Sequence, residues 1–147
     1  PNFYDAEYLL TNKIVYQFYP VQRSDVIIFK APQNEEYDYI KRVIGLPEET
    51  VMITNNQVYI NNQPLAENDY LSPEIKTSPG LFLTEGKKIT VPKNEYLALG
   101  DNRSFSSDSR DWGFVSKENI IGKAWFRYWP LSKMGLLKSH EASMNLF

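Results

Sequence analysis

Apolar residues in this chain come in short bursts, and that spacing decides what it can fold into. No apolar run exceeds four residues, the longest being Val26-Ile27-Ile28-Phe29 and Tyr96-Leu97-Ala98-Leu99. The bursts are rich in β-branched and aromatic side chains and are bounded by Pro, Gly, Asn and Asp, which is the pattern of strands. No segment offers a long helical stripe. Strands are expected over Tyr8 to Tyr16, Asp25 to Lys30, Tyr37 to Ile44, Thr50 to Thr54, Gln57 to Ile60, Lys88 to Val91, Glu95 to Leu99 and Gly122 to Trp129. The fold class that follows is all-β, with closed or coiled antiparallel sheets.

Asn55-Asn56 separates two strand-like runs, and Asn tolerates positive φ, so a tight hairpin is expected there. Asn61-Asn62 predicts a second turn before Pro64. The stretch from Asn68 to Lys87 holds Pro73, Pro79, Gly80 and Gly86 and reads as a long excursion rather than an interdomain linker. Ser116, followed by Glu118 and Asn119, suits one short turn of helix. The tail from Lys133 to Phe147 is weakly patterned.

The length of 147 residues suits one domain. With 42% hydrophobic and 14% aromatic residues the chain can bury a core, and its net charge of −2 gives no electrostatic case for nucleic acid. No apolar run approaches the ~20 residues needed to span a bilayer, and the opening residues, Pro1 with Asp5 and Glu7 close behind, show no signal-peptide pattern. Cysteine is absent and His140 is the one histidine. A thiol nucleophile, a disulfide framework and a Cys-ligated zinc are thereby excluded, and no metal site or cofactor is expected. A hydrolase built from this inventory needs a base other than histidine.

Two polar clusters lie among the strands. In Tyr37-Asp38-Tyr39-Ile40-Lys41-Arg42-Val43-Ile44-Gly45-Leu46-Pro47, strand alternation puts Lys41 on one face with Tyr37, Tyr39 and Val43, and Asp38, Ile40 and Arg42 on the other. Burial of an ammonium favours its neutral form, and a neutral lysine is a general base. A strand lysine whose stem merely covers aromatic surface is the other reading, and the segment alone leaves both open. The second cluster, Gly100 to Phe114, packs three carboxylates, two guanidinium groups and four hydroxyls into fifteen residues directly after an expected strand. Such a composition makes either a loop stitched by Asx and Ser turns or a rigid site presenting a hydroxyl.

Together the clusters resemble type I signal peptidases, the serine proteases that remove signal peptides from exported proteins. Gly100-Asp101-Asn102-Arg103, Ser106 and Asp108-Ser109-Arg110 resemble that family's signature loop. Tyr39 to Pro47, Arg23 to Phe29 and Gly122 to Pro130 resemble three more of its segments, in the same order along the chain. The resemblance implies the signal peptidase and SOS-repressor-like β-fold, with residues 1–130 as the catalytic domain, a β-rich insertion around 57–93 and a tail over 131–147. It implies Lys41 as general base and Ser106 as the hydroxyl that orients its amine. Structural ion pairs would join Arg42 to Asp101 and Asp108 to Arg110. The strand through Asp38, Tyr39 and Ile40 would pair with an extended substrate, Phe3, Tyr39 and Ile40 helping to line pockets for small side chains.

The partners implied are signal peptides of secreted preproteins, cut after a small-x-small (Ala-x-Ala) motif, and a membrane surface reached through an N-terminal anchor. The location implied is the bacterial cytoplasmic membrane, with the catalytic domain on its extracytoplasmic face. The family's nucleophile lies in a Ser-Met-x-Pro-Thr motif, and Pro1 falls on its proline. The attacking serine is therefore expected three residues before Pro1, with the anchor further upstream, and the chain from Pro1 is expected to be inactive. Ser24 and Glu48 stand where the family carries glycine, Glu49 where it carries aspartate, and Asn2 where it carries threonine. A self-cleaving SOS repressor would need an Ala-Gly bond, and no Ala-Gly dipeptide occurs. A non-catalytic homologue that binds peptides or assists surface-fibre assembly would be expected to lose the lysine as well as the serine, and Lys41 is present.

Overall fold

A computed structural model describes residues 8–129 and 135–136 of the chain. Phe3, His140 and most of the 131–147 tail lie outside the described residues. The fold is mainly β, and every strand pair is antiparallel. In chain order the elements are β1 (Tyr8–Asn12), α1 (Val15–Phe18), β2 (Val26–Ala31), β3 (Asn34–Gly45), β4 (Thr50–Thr54), β5 (Gln57–Ile60), β6 (Gln63–Pro64), β7 (Ile89–Thr90) and β8 (Glu95–Leu99). Then come α2 (Ser109–Trp112), β9 (Val115–Ser116), a 3-10 turn (Lys117–Asn119), β10 (Ile120–Trp129) and β11 (Gly135–Leu136).

Among the described residues seven strands form one sheet in the order β1-β10-β2-β3-β8-β9, with β11 added to β10, and four form a second in the order β6-β5-β4-β7. Register shifts interrupt the β1–β10, β2–β10, β2–β3 and β3–β8 ladders. Such irregularities bend and twist a sheet, which is how the larger one coils. Its middle strands are covered on both faces. Val43 and Ala98 belong to one core with Val21, Ile27 and Phe29. Their neighbours Ile44, Leu97 and Leu99 belong to the other, with Val51, Ile53, Val58, Leu83 and Val91. Strands β3 and β8 thus form a wall between two apolar cores.

The Asn pairs turn the chain as their chemistry requires. Asn55 and Asn56 have φ of 51° and 60°, Asn61 and Asn62 51° and 67°, and the first pair closes a hairpin in which Thr54 faces Gln57. Ser116 caps the 3-10 turn by accepting from Glu118 N–H at 3.3 Å. The expected strand from Tyr8 to Tyr16 is too long: Asn12 Oδ1 accepts from the N–H groups of Ile14 and Val15 at 3.0 Å each, and this Asx turn ends β1 and starts α1. The expected strand from Lys88 to Val91 shortens to two residues, and α2 occupies part of what reads as an irregular polar loop.

Ser24 and Glu48 both sit at φ 68°, the left-handed region that glycine enters without strain. At Glu48 the turn is held by its N–H donating to Val91 O at 2.8 Å and by Leu46 N–H donating to Glu49 Oε2 at 2.8 Å. The Glu48 side chain is exposed and makes only a 3.7 Å contact with Lys93. Glu48→Gly is therefore expected to raise stability by about 0.5–1 kcal/mol in urea denaturation, with relief of the backbone strain outweighing the lost surface pair.

Candidate active site

Strand β3 is where the site begins. From Arg42 to Gly45 it pairs with β8, Arg42 lying opposite Leu99. From Asn34 to Lys41 it pairs only with β2, so among the described residues its other edge is open. Immediately past Leu99 the chain leaves the sheet at Gly100, and the loop it enters closes over the end of that open edge.

The loop is tied at both ends. Asp101 receives Arg42 in a two-pronged pair, Nε to Oδ1 and Nη2 to Oδ2 at 2.8 Å each, and a further Arg42 nitrogen donates to Ser24 O at 2.9 Å. Both side chains of the pair are 2% exposed. At the far end Asp108 accepts from Arg110 Nε and Nη2 at 2.8 Å each and from Gly100 N–H at 3.0 Å. Asp108 also caps α2 by accepting from Arg110 N–H at 3.2 Å. Ser109 Oγ accepts Ala98 N–H at 2.9 Å, which binds α2 to β8.

Inside this frame a cavity of about 150 Å³ is lined by Ile40, Lys41, Gly100, Asp101, Asn102, Phe105 and Ser106. It brings Lys41 and Ser106 together from positions 65 residues apart in the sequence. Ser106 Oγ is buried and has no hydrogen-bond partner among the described residues. It packs on bare backbone, for a Cβ at Gly100 would lie 2.0 Å from Ser106 Oγ. Lys41 lies 5.5 Å from the centre of the Tyr39 ring and has no ion-pair partner among the described residues. Burial pushes its ammonium below the ordinary lysine value; Asp108 opposes the shift, Arg110 adds to it and Asp101 opposes it. Desolvation dominates because both nearby carboxylates are already engaged by arginines.

The residues expected at the substrate strand line the same edge. Tyr39 and Ile40 are half-buried, whereas Asp38 is exposed and pairs with Lys30 at 2.7 Å across to β2. Tyr39 also meets Phe29 edge-on and tilts against Trp112, whose indole N–H is buried without a partner among the described residues. Phe3 falls outside the described residues. Among the described residues no cluster of three or more His, Cys, Asp and Glu could hold a metal.

Sequence reasoning assigned no role to Arg103, which is 3% exposed. Its guanidinium reaches Glu67 and Thr77 in the long connection between β6 and β7 as well as Gly100 O in the loop. Nor did it single out Tyr70, whose ring lies 4.2 Å from the Arg42 guanidinium. The one signal available was Arg103's place inside the signature loop.

A family model described as signal peptidase, peptidase S26, matches residues 1–129. A signal peptidase I of Leptolyngbya laminosa is 43% identical over 88% of the chain, which spans 63% of that relative's length. A probable signal peptidase I-1 of Synechocystis is 39% identical over 95% of the chain and 70% of the relative. A signal peptidase IB of Staphylococcus aureus is 35% identical over 99% of the chain and 80% of the relative. Among solved structures, a signal peptidase I of Enterococcus faecalis V583 superposes with a TM-score of 0.56 at 32% identity, covering 71% of this chain and 97% of that one. The mainly β fold is thus like that of the Enterococcus structure, and the chain belongs to the signal peptidase, peptidase S26, family.

The frame rests on a charge pair that is out of water, and removing one member leaves the other uncompensated. Asp101→Ala is expected to cost about 3–5 kcal/mol of stability, read from the urea midpoint at constant m-value.

Proposed function

We propose that this protein is a serine endopeptidase that removes signal peptides from exported preproteins, cutting after a small-x-small motif with a Ser-Lys dyad. The observation that carries the reading is a partly desolvated lysine sharing a cavity with a buried hydroxyl at the end of a strand edge, the lysine without an ion-pair partner, the hydroxyl without a hydrogen-bond partner and the edge unpaired among the described residues. Family membership supports the reaction class.

In this reading an extended signal peptide adds itself to the open edge of β3 beside Asp38, Tyr39 and Ile40, main-chain hydrogen bonds giving register and small pockets reading alternate side chains. Lys41, whose partial burial favours the neutral amine, takes the proton of an attacking hydroxyl supplied from the segment ahead of Pro1. It gives that proton to the leaving amine and then activates the water that releases the acyl group. Ser106 orients the lysine amine. Residues 1–130 serve as the catalytic unit, with the insertion around 57–93 bracing it and 131–147 as a tail. The unit works at the extracytoplasmic face of the bacterial membrane through an anchor upstream. Among the described residues no helix is long and apolar enough to cross a membrane.

The test is cleavage of a preprotein carrying Ala-x-Ala by the complete natural chain. Lys41→Ala should lower kcat about 10³-fold and Ser106→Ala about tenfold or more; full activity in Lys41→Ala would remove the dyad.

Protonation gives a second check. Lys41's folded pKa lies below its unfolded value. Between the two the unfolded chain binds more protons, so wild-type stability rises with pH through that window. Lys41→Met is therefore expected to melt at a higher temperature than wild type at pH 7, with the gap closing as pH climbs toward the ordinary lysine value. An equal gap at all pH would contradict a desolvated amine.

A further inference from the structure

Glu67 lies in the connection between β6 and β7, one residue before the excursion and outside the cavity that holds Lys41 and Ser106. Its carboxylate takes both terminal nitrogens of Arg103, Nη1 donating to Oε2 at 3.0 Å and Nη2 to Oε1 at 2.5 Å. Thr77 Oγ1 receives a further Nη1 hydrogen, and the remaining arm, Nε, donates to Gly100 O at 3.1 Å. The Arg103 side chain is fully buried. Desolvation alone would weaken its hold on a proton, and Glu67 reverses that, leaving the guanidinium above its ordinary value. Glu67 is thus the counter-ion that allows a buried cation to hold one particular carbonyl.

That carbonyl belongs to the residue on which Ser106 rests, since nothing larger than glycine fits beneath Ser106 Oγ. Glu67 also accepts from Tyr70 Oη at 2.8 Å, and the Tyr70 ring lies against Arg42, the partner of Asp101. The carboxylate therefore reaches the loop by two routes, the Gly100 carbonyl through Arg103 and the Arg42–Asp101 pair through Tyr70.

We propose that Glu67 is a positioning residue for peptide-bond cleavage: acting through Arg103, it fixes the Gly100 carbonyl and so the seat from which Ser106 faces Lys41. The inference rests on the dyad reading above and deepens it by assigning the connection between β6 and β7 a role in catalysis. Without the carboxylate, an unneutralised guanidinium cannot stay dry between Thr77 and Gly100, and the Gly100 turn relaxes. The β3 edge that binds substrate is built by other contacts and is unaffected, so the loss falls on the chemical step.

The experiment compares Glu67→Gln, Glu67→Asp and Lys41→Ala in the complete natural chain, on a preprotein carrying Ala-x-Ala, well below each variant's melting temperature. Glu67→Gln should lower kcat about tenfold with KM within twofold of wild type, and Glu67→Asp, which keeps the charge, should recover at least a third of the lost rate. A folded Glu67→Gln with wild-type kcat, or one whose loss lies wholly in KM, overturns the proposal. If Glu67→Gln does not fold, Thr77→Val removes another Arg103 contact at constant shape and decides by kcat: a fall of about threefold at constant KM supports the proposal, and an unchanged kcat overturns it. Lys41→Ala separates the two ideas. Its inactivity beside an unchanged Glu67→Gln removes the role of Glu67 alone, whereas its full activity removes the dyad and this inference with it.

Discussion

Arg42 and Asp101 meet in a place almost closed to solvent, each 2% exposed, with two parallel hydrogen bonds of 2.8 Å between them. Pairs of this kind gain little over well-packed apolar groups but cost a great deal to break, so their value is geometric. Arg42 is the residue at which β8 joins β3, and Asp101 is two residues beyond the end of β8. Their pairing sets where the chain goes when it leaves the sheet. Asp108 repeats the device at the loop's other end, gripping Arg110 and the Gly100 N–H together. Lys41, the residue before Arg42, is thereby delivered to the same cavity as Ser106.

The same pairs explain why the lysine is left without a counter-ion among the described residues. Two carboxylates are near enough to Lys41 to act on it, and each is committed to an arginine through a bidentate contact. A free carboxylate there would hold the ammonium charged; a committed one is largely cancelled by its partner. Burial beside Tyr39 then prevails, and the amine tends toward its neutral form. Structural charge pairing and the downward shift of the Lys41 pKa are in this sense one arrangement.

Much of the frame is legible in the sequence because it is written in local chemistry. The strands Thr50–Thr54, Gln57–Ile60 and Glu95–Leu99 follow from runs of branched and aromatic residues between turn formers, and the Asn55-Asn56 hairpin follows from asparagine's tolerance of positive φ. The same asparagine chemistry misleads at Asn12, where the apolar pattern continues to Tyr16 but the Asx turn has already ended the strand. Helix α2 was hidden because Asp108, its cap, sits in a run of serines and aspartates that reads equally well as loop. Lys41 and Ser106 could be singled out only through resemblance, since alternation alone cannot tell a buried base from a stem lying over tyrosine. Glu67 and Tyr70 were beyond reach for a plainer reason. Their partners, Arg103 and Arg42, lie 36 and 28 residues away, and only tertiary packing brings them together.

The central claim is that Lys41 is a desolvated amine rather than a surface one, and its own titration tests it most directly. In a chain labelled with ¹³C at the lysine ε-carbons, with the Lys41 resonance assigned by its absence in Lys41→Arg, the Lys41 signal should titrate at lower pH than the exposed lysines. Titration of Lys41 together with those lysines, near the ordinary value of about 10.4, would contradict the account.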